Sequence, residues 1–252
     1  MIDLERRGPV AVLTLAHGKA NVLDLEMCEA LAARIEECQA TWCQAVVATA
    51  RGSIFSAGVD LLRIVNEGAP YVRRYLPALS RMLEAMFVYP KPMVAAVNGH
   101  AIAGGCMIAC TADRRLMARG SGRIGVPELL VGVPFPPVPL EIIRFAVAQP
   151  HLAQVIFSGV TADADRAVEY GLVDRAVDAE SLASEAIAAA HALAAFPGDA
   201  FALTKRQLRA PAIERFGPGQ RELDGAVIDS WCAPETLEVI RGYIERTFKK
   251  GA

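Results

Sequence analysis

The sequence predicts a mixed α/β fold made of strand–strand–helix units, followed by a helical C-terminal region. Two short apolar runs, Ala45–Ala50 and Met93–Val97, have the length and composition of strands that are buried on both faces. A glycine-bearing loop and a helical pattern follow each of them, and from Pro139 onward the pattern is almost entirely helical. With 252 residues, the chain can bury about 75% of its unfolded surface in such a core.

The first elements are a β-hairpin and a helix. Ile2–Arg7 and Val10–Leu15 are predicted to be strands joined by a turn at Gly8-Pro9. A polar turn follows, and Asp24 is predicted to cap the first helix because its carboxylate can accept from a free amide of the first turn. The apolar side chains of this helix recur on one face, at Met27, Leu31, Ile35 and Cys38.

The middle of the chain alternates between helices and short extended segments. Helices are predicted from Leu62 to about Asn66, over Tyr71–Met86, and from the second glycine loop to about Cys110. Extended segments are predicted at Leu116–Ala118, Arg123–Ile124 and Leu129–Val131. The prolines of Val133–Pro139 are predicted to exclude regular structure there, because proline lacks the amide that helices and strands use.

The C-terminal part is predicted to be helical apart from an extended segment at Leu172–Val177. Leu182–Ala195 and Pro234–Phe248 have clear helical patterns. We predict two regions, an α/β core over residues 1–190 and a helical region over residues 191–252. The sequence contains no internal repeat, no dinucleotide-binding fingerprint and no P-loop motif.

Charge and composition exclude several classes of protein. A formal net charge of −2 without a Lys/Arg stripe argues against nucleic-acid binding, and the run Lys205–Arg209 is predicted to be a solvated helix face. The apolar runs are too short to span a membrane, and the N-terminus does not have the pattern of a signal peptide. The six cysteines lack C-x-x-C spacing, which indicates free thiols. We therefore expect a cytoplasmic protein that makes no membrane contact.

The two glycine loops suggest a chemical role. The stretches Ser56–Asp60 and Ala103–Cys106 each put small residues where a buried strand gives way to a helix. Glycine allows the backbone to approach a ligand closely, and the first amides of a helix have no internal acceptor. Two such amides aimed at one point form an oxyanion hole. The alternative is that Gly104 and Gly105 only permit close packing of helix against strand, and the spacing alone leaves both interpretations open.

Several blocks of the sequence resemble the signature blocks of the crotonase family, the enoyl-CoA hydratases and isomerases. They are FSAGVDL at Phe55–Leu61, KPMVAAVNGHAIAGGC at Lys91–Cys106 and GVPELLVGVPFP at Gly125–Pro136. GKANVLD at Gly18–Asp24 and the stretch Phe157–Val177 are also similar. The resemblance implies a crotonase-like spiral of β-β-α units, with a helical C-terminal region that drives assembly into a homotrimer or a dimer of trimers.

The resemblance also implies which residues contact an acyl-CoA thioester. The backbone amides of Val59 and Gly104 would hold the thioester carbonyl and stabilise an enolate. Coenzyme A is then part of the substrate, and no separate cofactor or metal is expected. Residues expected to flank the pantetheine and adenine are Lys19, Ala20, Asn21, Ser56, Ala57, Gly58 and Asp60. Lys19, Arg63 and Lys205 are candidate partners of the CoA phosphates. Lys205 could reach them from a neighbouring subunit of the oligomer.

Hydratases of this family carry two catalytic glutamates, and the number present distinguishes hydration from isomerisation. The later one corresponds to Glu128, whereas the earlier position holds Met107, which cannot accept a proton and is expected to line the acyl pocket. One carboxylate is sufficient for Δ3-Δ2-enoyl-CoA isomerisation, so the sequence favours an isomerase with Glu128 as its base. A hydratase that uses Glu141 or His100 as a second group, an acyl-CoA hydrolase, and a CoA-thioester-binding protein without catalysis remain alternatives. Cys106 is a weaker candidate, as a nucleophile.

Overall fold

The structure is a computed structural model that describes residues 1–216 and 221–248. Its strands are β1 (Ile2–Arg7), β2 (Val10–Leu15), β3 (Val22–Leu23), β4 (Ala45–Ala50), β5 (Ile54–Ser56), β6 (Gly58–Val59), β7 (Met93–Val97), β8 (His100–Ile102), β9 (Arg114–Ala118), β10 (Ile124–Gly125) and β11 (Arg175–Val177). Its helices are α1 (Leu25–Glu37), α2 (Leu61–Phe87), α3 (Gly104–Cys110), α4 (Glu128–Val131), α5 (Pro137–Ala146), α6 (Gln149–Ser158), α7 (Ala164–Tyr170), α8 (Leu182–Ala194), α9 (Gly198–Glu214), α10 (Arg221–Cys232) and α11 (Pro234–Phe248).

The predicted strand–strand–helix units are confirmed. The largest sheet has the order β1-β2-β4-β7-β9-β11, antiparallel at the β1–β2 hairpin and parallel elsewhere. Strands β5, β8 and β10 form a second parallel sheet, and β3 pairs with β6. Each unit therefore places one strand in the large sheet, the next in a small sheet, and then a helix. Successive units stack like turns of a spiral, which aligns the loops that precede α2, α3 and α4.

The two faces of the large sheet are covered differently. One face packs against α1, α2, α3 and α5 and forms the main core, to which large side chains such as Phe55, Tyr75 and Phe87 contribute. The opposite face carries small residues that pack against the Ala-rich helix α8. The boundary predicted at residue 190 falls within α8, and the division into two regions remains a prediction.

The two helices predicted before and after residue 68 are confirmed, because Leu61–Phe87 is interrupted by a kink at Gly68 (φ 65°, ψ −152°). Two other local predictions were wrong. Leu129–Val131 belongs to the short helix α4 and is not extended. The proline-rich segment contains the start of α5, which begins at Pro137. Proline is tolerated in a first helical turn because its missing amide would have no intrahelical acceptor there.

The run Lys205–Arg209 was predicted to be a solvated face, but both of its end residues are buried on α9. The Lys205 ammonium lies 2.7 Å from one Asp113 carboxylate oxygen, and the Arg209 guanidinium lies 2.7 Å from the other. Asp113 also accepts from the Met93 amide at 2.8 Å. Burial lowers the pKa of Lys205 to about 8, while Asp113 acts in the opposite direction. One carboxylate thus attaches α9 to the sheet through two buried cations.

Two further predictions concern free cysteines and the absence of a membrane-spanning segment. All six cysteines are free, five of them buried and Cys232 half-buried. Among the described residues, no single helix is long and apolar enough to cross a membrane. The bent pair α8 and α9, at 101°, meets the criteria of length and composition when its helices are taken together.

We expect Asp113→Ala to destabilise the fold by about 3–5 kcal/mol, because removing one partner leaves buried charge without compensation. Urea unfolding of the variant measures this loss. Asp165→Ala is the matched control, since its partner Arg119 and Asp165 itself are mostly exposed, and such pairs contribute about 0–1 kcal/mol. Equal midpoints for the two variants would contradict a structural role for the Asp113 network.

Candidate active site

The backbones of the two glycine loops are in direct contact. Gly58 has φ +80°, and a Cβ placed there would lie 2.5 Å from the Ile102 carbonyl oxygen. A Cβ on Gly105 would lie 2.4 Å from the Ser56 carbonyl oxygen. Real Cβ atoms do not approach oxygen this closely, so both positions need glycine. Close packing, one of the two interpretations left open by the sequence, is therefore established, and it brings the loops before α2 and α3 to one place.

Two buried side chains hold the first loop in shape. The Ser56 hydroxyl donates to the Asn21 carbonyl at 2.7 Å and accepts from the Gly58 amide at 3.1 Å. The Asn21 side chain accepts from the His17 amide and donates to the Ile54 carbonyl, both at 2.8 Å. Asn21 has φ 47°, a conformation that asparagine tolerates better than most residues. Both residues were predicted to flank the substrate. Neither lines the cavity described below, their side chains support the loop, and a contact with substrate stays a prediction.

A cavity of about 810 Å³ opens beside these loops. Its walls come from the loops, from α2 and α4, and from the C-terminal helices α10 and α11. The lining residues that carry the discussion below are Ala20, Ala57, Val59, Asp60, Leu62, Leu79, His100, Gly104, Met107, Arg123, Glu128, Leu130, Val133, Val160, Trp231 and Tyr243. The wall is mostly apolar, with few polar groups, which is the usual composition of a small-molecule site.

Val59 and Gly104, whose backbone amides are predicted to hold the thioester carbonyl, both line this cavity. Gly104 is the first residue of α3, so its amide has no acceptor within the helix. Ala103, which precedes it, has φ 52° and ψ −120°, a conformation that costs energy for a residue other than glycine. The amide of Asp60, the residue after Val59, donates to the Leu23 carbonyl on β3 at 3.2 Å.

Glu128 is the acidic residue that stands out in the cavity wall. It is the first residue of α4 and is 6% exposed. Its Oε2 has no hydrogen-bond partner within the part of the chain that the structure describes. Burial raises the pKa of Glu128 to about 8, and a hydrogen bond from its own backbone amide opposes this in part. A desolvated carboxyl with a free oxygen in a cavity is the arrangement expected of a general acid or base.

The remaining polar candidates divide into cavity residues and structural residues. Met107 and His100 both line the cavity, as predicted for Met107. Glu141 is buried but pairs with Arg215 and Arg144, so it does not provide a second carboxylate to this site. Cys106 is fully buried outside the wall, and a hydrogen bond with Cys110, together with burial, raises the pKa of its thiol. A protonated, enclosed thiol is a poor nucleophile.

The predicted phosphate partners do not line the cavity. Lys19 is exposed on the turn before β3. Arg63 pairs with Glu26 and with Glu67 on its own helix. Lys205 is buried against Asp113, so within this chain its ammonium supports the fold, and its contact with substrate stays a prediction. Of the other residues predicted to contact substrate, Ala20, Ala57 and Asp60 do line the wall, whereas Gly58 packs behind it against the start of α3.

Sequence reasoning missed the part of the wall that comes from the C-terminal helices. Trp231 on α10 and Tyr243 on α11 line the cavity, together with Leu79 from the middle of α2. In the sequence, each of these three residues is one of many apolar or amphipathic residues within a helical pattern. Nothing in the local sequence distinguishes such a residue from ordinary core, because its position at the cavity depends on how the helix docks.

Known proteins resemble this chain over most of its length. It is 32% identical over 257 residues to a protein of Thermus thermophilus that is provisionally named an enoyl-CoA hydratase, and the match covers 98% of each chain. One Mycobacterium tuberculosis protein has been solved under two names, as a probable enoyl-CoA hydratase and as an enoyl-CoA isomerase. The latter structure has a TM-score of 0.80 and 29% identity, covering 92% of this chain and 98% of that one. Human mitochondrial Δ3-Δ2-enoyl-CoA isomerase has the same fold, with a TM-score of 0.94 at 24% identity over 100% and 99% of the chains.

The predicted crotonase-like fold is confirmed by these structural neighbours. A profile of the enoyl-CoA hydratase/isomerase family matches residues 5–249, which include the paired glycine loops, Glu128 and the helices that complete the cavity. The chain therefore belongs to the enoyl-CoA hydratase/isomerase family.

Proposed function

We propose that this protein is an enoyl-CoA isomerase that moves a double bond from C3 to C2 of an acyl-CoA thioester. The observation that carries the proposal is the buried carboxyl of Glu128, whose Oε2 has no hydrogen-bond partner among the described residues, in a cavity that Val59 and Gly104 also line. Isomerisation needs one group that can take a proton and return it. Coenzyme A enters as part of the substrate, and the proposal requires no further cofactor.

The proposed reaction has two proton transfers and one charged intermediate. The Val59 and Gly104 amides donate to the thioester carbonyl oxygen, where negative charge develops. The Glu128 carboxylate removes a proton from C2, and the electron pair spreads over the carbonyl and the C3–C4 double bond. Glu128 then returns the proton to C4, which leaves a C2–C3 double bond. One donor of an oxyanion hole typically contributes about 2.7–4 kcal/mol to such a step.

Met107 separates this proposal from a hydratase. Water addition requires a group that positions and deprotonates water in addition to a group that protonates carbon. The thioether of Met107 does neither, and Glu141 is engaged with arginines away from the cavity. The hydratase name of the Thermus thermophilus relative belongs to a member of the same family, so direct comparison of the two reactions is the appropriate test. Hydrolysis of the thioester is tested in the same assay by release of free CoA.

The environment of Glu128 suits removal of a weakly acidic carbon-bound proton. Burial without a neighbouring cation raises the pKa of the carboxyl to about 8, so the carboxylate holds a proton more strongly than an exposed glutamate does. General bases are most effective when their pKa lies near the working pH. One such carboxyl is sufficient, because the group that accepts the proton from C2 can return it to C4.

We expect Glu128→Gln to lower kcat for isomerisation of a 3-enoyl-CoA by about 10²–10⁴-fold, because the amide cannot accept the proton. Conversion of 3-enoyl-CoA and hydration of 2-enoyl-CoA should be measured side by side for wild type and variant. Glu29→Gln, on the exposed side of α1, is the matched control and should retain full activity. Unchanged isomerisation by Glu128→Gln would refute the assignment of the base, and rapid hydration by wild type would refute the choice of reaction.

The pH dependence follows from the raised pKa of Glu128. The base must be ionised, so kcat/KM should rise about tenfold per pH unit below pH 8 and level off above it. Stability should change in the opposite direction. A carboxyl whose native pKa exceeds its unfolded value of about 4.3 contributes stability at acid pH that is lost as pH rises toward 8.

The pH dependence of kcat/KM and the pH dependence of stability together test the raised pKa of Glu128. Urea unfolding of wild type should show a loss of stability between about pH 5 and pH 8 that is smaller in Glu128→Gln, since glutamine does not titrate. A kcat/KM profile that is flat from about pH 6 to pH 9, combined with equal pH dependence of stability in both proteins, would show that Glu128 is an ordinary carboxylate.

We also propose that the protein assembles as a homotrimer or a dimer of trimers. The family resemblance supports this, and α9 presents Leu203 and Leu208, which are 51% and 66% exposed. Sedimentation velocity of the purified protein should give a mass that is a multiple of three chains of 26.9 kDa. Leu208→Glu should shift the distribution toward monomer, and a monomeric wild type would contradict the proposal.

A further inference from the structure

The cavity has an open end and a closed end, which the exposure of its lining side chains distinguishes. Leu62, Leu130 and Val160 are 52%, 54% and 58% exposed, so they form the rim. Val133 and Trp231 are 2% and 3% exposed and lie on the same wall. A ligand therefore enters past the three rim residues and extends toward the tryptophan.

The position of the reacting groups orients the substrate, if the proposed function holds. Gly104 and Glu128 are buried residues of the same wall, in contrast to the exposed residues of the rim. The nucleotide of coenzyme A is large and charged, so it remains outside the rim, while the thioester reaches these two residues. The acyl chain then points into the closed end.

The closed end is suited to an apolar chain without a charged terminus. Its walls include Leu79, Met107 and Val133. Apart from Glu128, the charged side chains in the described wall are Asp60, which caps α2 by accepting from the Arg63 amide, and Arg123, which donates to the Thr161 carbonyl. A carboxylate or ammonium at the end of the acyl chain would therefore meet apolar wall and lose its hydration without compensation.

Trp231 is held rigidly at this end. Its indole Nε1 donates to the Pro134 carbonyl at 2.9 Å, which fixes the ring against the proline-rich segment before α5. Its helix, α10, packs on α2 and is tied to it by the ion pair between Arg73 and Asp229 at 3.0 Å. A fixed indole forms a firm boundary, whereas a flexible side chain would yield to a longer ligand.

The volume of the cavity leaves room for an acyl chain in addition to the pantetheine arm. At about 30 Å³ for a water-sized group, 810 Å³ holds roughly 27 such groups, which the acyl chain shares with the pantetheine arm. Each added methylene that fills apolar space should tighten binding about fourfold.

We propose that Trp231 closes the acyl end of the cavity and sets the maximum chain length, and that the substrates are unbranched medium-chain enoyl thioesters with an uncharged end. Octenoyl and decenoyl chains fill the closed end, and the indole blocks longer ones. Trp231 is a specificity-determining residue that contacts the far end of the chain, and it takes no part in proton transfer.

Binding tests the contact without requiring catalysis. The chain has two tryptophans, and the second, Trp42, lies under Arg6 outside the cavity. In a Trp42→Phe protein the fluorescence reports Trp231 alone. Titration with saturated butanoyl-, hexanoyl-, octanoyl- and decanoyl-CoA should change the emission, with affinity rising about fourfold per methylene, whereas CoA alone should not change it. Emission that is unaffected by every acyl-CoA that binds would overturn the proposal.

Activity tests the length limit. Trp231→Ala should raise the ratio of kcat/KM for tetradecenoyl-CoA over octenoyl-CoA at least about tenfold, because the vacated indole space admits further methylenes. Trp231→Phe retains a ring of smaller size and should give an intermediate ratio, which preserves the test if the alanine variant folds poorly. Trp42→Ala should keep the wild-type ratio. Wild-type ratios in both Trp231 variants would refute the role of the indole.

The two proposals fail in different ways. If the protein binds acyl-CoA with the expected length dependence but converts no 3-enoyl-CoA, the isomerase proposal fails and the assignment of Trp231 stands. If isomerisation is rapid but neither the emission of Trp231 nor the length profile responds, the assignment of Trp231 fails and the isomerase proposal stands.

Discussion

The candidate site depends on one contact, the backbone-to-backbone approach of the loop before α2 to the loop before α3. A side chain at Gly58 or Gly105 would overlap a carbonyl oxygen of the opposite loop, and the loops would separate. The amides of Val59 and Gly104 would then no longer share one cavity. The adjacency of β4 and β7 in the large sheet supplies this proximity, since each strand leads into one of the two loops. Ser56 and Asn21 maintain it with buried hydrogen bonds.

Two buried carboxyl groups show how the same chemistry serves stability in one place and reactivity in another. Asp113 lies between two cations and a backbone amide, so its charge is compensated and it joins α9 to the sheet. Glu128 has an unpaired oxygen and apolar surroundings, which raise its pKa. Leaving it without a partner is costly to the fold. Such a cost is expected at a functional site, where the missing partner is supplied by a substrate.

The core strands and the first helix were predictable because their signals are local. Buried parallel strands such as β4 and β7 are short continuous apolar runs, and the Asp24 cap has its free amide three residues away at Met27. The errors arose where a local preference was overridden. Leu129–Val131 is helical although its apolar residues also suit a strand, and Lys205 is buried because its partner Asp113 is 92 residues distant in the sequence. No local pattern indicates such a pairing.

By itself the sequence determined the units of the fold and the two glycine-bearing loops that follow buried strands, since residue type and spacing act over a few residues. Its resemblance to the enoyl-CoA hydratase/isomerase family indicated one carboxylate where a hydratase has two. Only the tertiary structure decided that Glu128 is desolvated, that Glu141 is engaged elsewhere and that Trp231 lines the cavity. Burial and proximity depend on which distant segments pack together. Helices α2, α4, α10 and α11 line the same cavity only when the chain is folded.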